Sequence, residues 1–131
     1  MRRAPTLAVV AVLYSTALAL ILLWPTPVDA TLVTWAPRAP LAYVLLETVA
    51  NVVLFVPFGG LLALLAPRVS VPVVALVGCA VSLLAESTQW AVRPERFATV
   101  SDVVANTLGA AGGALLARRL TRRSERPTPR G

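Results

Sequence analysis

The sequence predicts an all-α, polytopic membrane protein with four transmembrane helices and both termini in the cytoplasm. Three observations predict it. Hydrophobic residues make up 57% of the 131 and the mean hydropathy is strongly positive, so too little polar surface remains to solubilise a domain. Four long apolar runs are separated by connections carrying proline, arginine and small polar residues. The basic charge is also sorted: Arg2, Arg3, Arg68 and six tail arginines fall on one side of such a topology. Arg38, Arg93 and Arg96 fall on the other, with Asp29 and Glu95. The positive-inside rule assigns the richer side to the cytoplasm, and the cell (plasma) membrane is the expected location.

The first run, Ala4 to Trp24, is roughly twenty residues and about 30 Å long as a helix, enough to cross the hydrocarbon core. Trp24-Pro25-Thr26-Pro27 ends it with an interfacial aromatic and two helix breakers. Val28-Asp29-Ala30 offers small residues for a signal peptidase, but the run exceeds the ~7–15 residues usual for a signal peptide, so it is expected to stay as the first helix. The second run, Leu41 to Ala66, is interrupted by Glu47, Asn51 and Pro57. Pro57 lacks the N–H that would bond Val53, which predicts a kink, and Gly59 and Gly60 would let a neighbouring helix approach closely.

Pro67-Arg68-Val69-Ser70 predicts a tight turn, followed by a third run, Val71 to Val92, apolar until Ser82 and bearing Glu86 and Gln89 near its end. The fourth run, Ser101 to Ala117, is rich in small residues, with Ala105, Gly109 and Gly113 spaced by fours as in close helix packing within lipid. Thr99 and Asp102 have capping-box spacing, with Ser101 as an alternative cap. One transmembrane domain is thus expected over residues 1–117, and residues 118–131 read as a disordered basic cytoplasmic tail.

Composition also narrows function. The net charge of +6 comes entirely from arginine and is explained by topology, while aromatics are only 6% and none alternate with the basic clusters, so nucleic acid is not an expected partner. Cys79 is the lone cysteine and there is no histidine, so neither disulfide nor metal site is expected, and no cofactor. Cys79 reads as a small buried hydrophobe.

The polar residues carry the candidate site. Glu86, Gln89 and Arg93 share one helical face at i, i+3 and i+7, Asp102 and Asn106 share another at i, i+4, and a nine-residue connection, Arg93 to Ser101, brings the two together. By rise per residue, Glu86 and Gln89 lie ~4–9 Å, and Asp102 and Asn106 ~1–8 Å, below the outer ends of their helices, with Glu47 and Asn51 at ~9–15 Å. An ionised carboxylate at such depth costs several kcal/mol unless paired. Glu86 and Asp102 are therefore expected to meet Arg93 or Arg96, to hydrogen-bond the amides of Asn51, Gln89 and Asn106, or to be protonated. Such convergence serves either a buried network fixing helix register or a cavity open to the outer leaflet, and intramembrane ionisable residues favour the second.

The stretch from Asn51 through Leu54, Phe55 and Pro57 to Gly59, then Glu86 and Gln89, then Arg96 six residues before Asp102, then Asn106 and Gly109 with Gly113, resembles the VanZ-like family over roughly residues 40–117. The combination is far more specific than any part. The resemblance implies a small multi-pass bacterial membrane protein of the cell envelope, in a family with members linked to teicoplanin-type glycopeptide resistance. The matched positions are Asn51, Pro57, Glu86, Gln89, Arg96, Asp102 and Asn106, and Arg93 is not among them. Three functions compete. A non-enzymatic protein would bind membrane lipid, through an anionic lipid or cell-wall precursor headgroup. A membrane enzyme would use Glu86 and Asp102 as acid and base on a lipid-linked substrate, although no nucleophile motif accompanies them. A proton-coupled carrier or flippase component would need a homo-oligomer, since four helices leave little room for a sealed path.

Overall fold

The computed structural model describes residues 3–23, 40–92 and 100–124. It is all-helical: α1 spans Arg3–Leu22, α2 Pro40–Leu65, α3 Val71–Val92 and α4 Val100–Ser124. Each is long and apolar enough to cross a membrane. The expected third helix coincides with α3, because Pro67, Ser70 and Pro72 punctuate its start. The turn before it closes with Val69 N–H donating to Ala66 O at 3.0 Å, and Val74 N–H then donates to Ser70 O at 3.1 Å. Pro72 falls within the first turn, where backbone N–H groups have no intrahelical partner to lose.

The interior is built from small residues. Ala63, Ala85, Ala105, Ala110, Ala114 and Ala117 are buried, while Leu76 and Leu84 are 67% and 70% exposed. This suits a lipid surround, where apolar bulk gains nothing by facing inward and helices associate through close backbone packing. α2 and α4 run parallel and form the tightest contact. A Cβ on Gly59 would overlap the Ala110 carbonyl, one on Gly113 the Val56 carbonyl, and one on Gly109 the Val52 carbonyl. The spacing by fours therefore does what its sequence pattern predicts at Gly109 and Gly113, and on α2 Gly59 allows the same close approach to Ala110. α3 lies antiparallel against α4, where a Cβ on Gly78 would come within 2.6 Å of the Ala110 Cβ. α1 leans on α2, with Leu18, Phe55 and Ala110 forming one buried cluster.

α4 departs from expectation at its far end. The helix was expected to stop at Ala117 and the tail to be disordered from Arg118, but it continues through Arg118, Arg119, Arg122 and Arg123 to Ser124. Hydrophobicity ends at Ala117; helix-forming residues do not, and no glycine or proline intervenes. The cations also complement the helix dipole at this end. Arg118 is half-buried and its guanidinium donates to Val69 O in the α2–α3 turn. The remainder of the tail, residues 125–131, lies outside the described residues.

α2 runs as one helix through Pro57. On α1, the Tyr14 hydroxyl donates to Leu54 O, next to the Val53 carbonyl that Pro57 leaves without its usual donor. Tyr14→Phe is expected to lower thermal stability in detergent by about 0.6–1.7 kcal/mol, the range for a hydrogen bond between membrane helices. An unchanged melting temperature would remove Tyr14 from the support of this turn.

Candidate functional site

The polar residues gather at the end of the bundle where α1 ends and α4 begins. Asn51, half-buried on α2, donates its amide to Asp102 Oδ1 at 2.7 Å. Asp102 occupies the first turn of α4, where a carboxylate also faces the positive end of the helix dipole. Asn51 lies eleven residues into α2 and Asp102 two into α4, so their contact requires α2 to begin about 13 Å beyond α4. The helix ends are staggered, and depth measured from each end separately does not rank these two residues.

One turn further in, Asn106 donates to Ser82 Oγ at 2.8 Å, and both side chains are buried, at 2% and 0% exposure. That bond sets the register of α3 against α4. Glu86 stands one turn beyond Ser82 and Asp102 one turn before Asn106, so on antiparallel helices the two carboxylates come to the same level. Both are half-buried and each holds an interaction of its own, as does Glu47, one turn above Asn51 on α2. The site thus has two tiers: Glu86, Asp102 and Asn51 above, Ser82 and Asn106 below.

Gln89, expected among the amides that bond Glu86 and Asp102, reaches across to α1. Its amide nitrogen donates to Leu22 O, the last carbonyl turn of α1, and so ties α1 to α3. Gly109 and Gly113 belong to the α2–α4 seam beneath the polar tiers, whereas Pro57 is exposed. Arg93 and Arg96 lie outside the described residues, and with them the expected pairing of Arg96 with Glu86 and Asp102. Two contributors went unassigned in the sequence. Ser82 was visible as a break in an apolar run, and Tyr14 as a phenol in mid-span, where a hydroxyl needs a partner.

A bundle of four helices apolar enough to cross a membrane is what the resemblance implies. The VanZ/LLP1 family model matches residues 9–121. This chain belongs to the VanZ-like family. The match takes in α1, which the motif residues of 40–117 do not reach, and runs past Ala117 into the helical arginine segment. Neither a curated protein nor a solved structure matches the chain. In this VanZ-like protein the match takes in most of α1, and among the described residues Tyr14 and Gln89 bond it to α2 and α3.

Proposed function

We propose that this VanZ-like protein is a multi-pass component of the cell envelope whose polar end binds an anionic lipid or cell-wall precursor headgroup in the outer leaflet of the plasma membrane. The observation carrying the reading is the Asn51–Asp102 hydrogen bond, which gathers a carboxylate and an amide from separate helices within an interior otherwise made largely of alanine and glycine. Polar groups within a membrane are costly, and a site for a polar ligand is what repays that cost. The amino end of α4, with Arg93 and Arg96 from the adjoining connection, would receive the phosphate. A role in glycopeptide (teicoplanin-type) resistance would follow if the bound headgroup is one on which the antibiotic depends.

The orientation rests on the arginine distribution and has its own test. A labelling reporter at residue 97 should react from outside the cell, while reporters at 68 and 125 should not. External labelling at 68 would place the polar end in the cytoplasmic leaflet and end the outer-leaflet reading. In liposomes, headgroup retention without chemical change is the expected result. Covalent change to the lipid would instead establish an enzyme, and transfer between leaflets a carrier.

A further inference from the structure

At the end of the bundle opposite the polar tiers, α4 carries a second arrangement of charge. Arg118 is held against the α2–α3 turn by its bond to Val69 O, and the helix runs on past its last small buried residue, Ala117, to Ser124. Arg119, Arg122 and Arg123 are exposed, as is Arg68 beside Val69 in the turn. The described carboxylates, Glu47, Glu86 and Asp102, belong to the other end, and Asp102 is about 24 Å along α4 from Arg118. Beyond the described residues the sequence adds one carboxylate, Glu125, and two more arginines, Arg126 and Arg130. Position as well as charge selects a partner for these cations. Leu108 and Leu115, 61% and 46% exposed, lie on the outward face of α4, and Gly112 between them has open space where a Cβ would stand. The same line, at alternating steps of four and three, continues to Arg119 and Arg122. An apolar line that runs into cations where a helix leaves hydrocarbon matches a molecule with an acyl chain and an anionic head. A soluble polyanion would meet the arginines and leave the leucines unused.

We infer that this end of α4 binds a net-anionic phospholipid, its acyl chain along Leu108 and Leu115 and its phosphate on Arg119 and Arg122, with Arg123 and Arg68 adding to the field. The site is separate from the polar end and takes lipid of the opposite leaflet. A guanidinium can give a phosphate two parallel hydrogen bonds, and each arginine near a membrane surface adds to the attraction. A zwitterionic headgroup brings its own cation to the arginines and so loses much of that gain.

The full-length protein, reconstituted in nanodiscs of phosphatidylcholine and phosphatidylglycerol in equal parts and recovered in mild detergent, tests this by mass spectrometry of the lipid it keeps. At low salt phosphatidylglycerol should be enriched on the order of tenfold, the combined attraction of two surface arginines for one phosphate, and high salt should shrink the enrichment towards one. Replacing the three exposed arginines together, Arg119→Gln, Arg122→Gln and Arg123→Gln, should bring it close to one at low salt. Excess glycerol phosphate, the same headgroup without chains, should displace little of the retained lipid at matched ionic strength. Equal retention of the two lipids by the wild type, or an enrichment that survives the three substitutions, would overturn the site. Displacement by glycerol phosphate would overturn the lipid in favour of a soluble phosphate. The salt series on the wild type decides the matter alone if the triple variant inserts poorly, because an enrichment indifferent to salt would belong to the half-buried polar end and not to exposed arginines.

Discussion

Gly113→Ala is expected to loosen the bundle severely, at a cost of about 1–3 kcal/mol or more, while Gly112→Ala beside it should be neutral or stabilising by up to ~1 kcal/mol. The added Cβ at 113 would overlap the backbone carbonyl of Val56 and press on the Gly60 nitrogen, and neither can swing aside as a side chain would. α2 and α4 would have to separate, giving up close packing at Gly59 and Gly109 together, and lipid offers no hydrophobic force to restore it. At 112 the new methyl meets nothing within 4 Å. Thermal denaturation in detergent of the two variants against wild type makes the comparison. Equal melting temperatures at 112 and 113 would mean that backbone approach does not hold the seam.

The same seam shows what the sequence makes legible. Spacing by fours identifies which face of α4 is small, and Gly109 and Gly113 on that face meet the α2 backbone at Val52 and Val56. The four spans were legible for a similar reason: hydropathy and proline act locally, and the boundaries of α3 depend on nothing beyond residues 67–92. Partner choice is legible only in part. The amide of Asn51 is an expected partner of the carboxylates and does meet Asp102, but periodicity gives no relative stagger of helices, and that stagger decides that Asn106 meets Ser82 and that Gln89 turns to Leu22. In α4 the hydrophobic run ends at Ala117 but the helix does not, and Arg118 finds its acceptor only once the α2–α3 turn is folded against it.

The Asn51–Asp102 bond gives the second large expected effect, because its two roles, fixing register and holding a ligand, respond differently to the same changes. Asn51→Leu removes the amide that donates to the Asp102 carboxylate and should cost about 1.5–3 kcal/mol, the range for a hydrogen bond to a charged group. Both residues are half-buried, so headgroup water would hold the cost below the ~3–5 kcal/mol of a fully buried broken pair. Replacing both by leucine should recover part of the loss, since the carboxylate that lost its Asn51 donor is then gone as well. Asp102→Asn is the informative change: its side-chain oxygen can still accept from Asn51, so the α2–α4 register and the melting temperature should be close to wild type. If the charge serves a ligand, headgroup retention should nevertheless fall about tenfold, as expected for losing one charge-assisted contact, and Glu86→Gln should behave alike. Melting temperature and lipid retention measured on the same preparations separate the roles. An Asp102→Asn protein that is stable and retains lipid as wild type does would show that these polar groups serve only to set one helix against another.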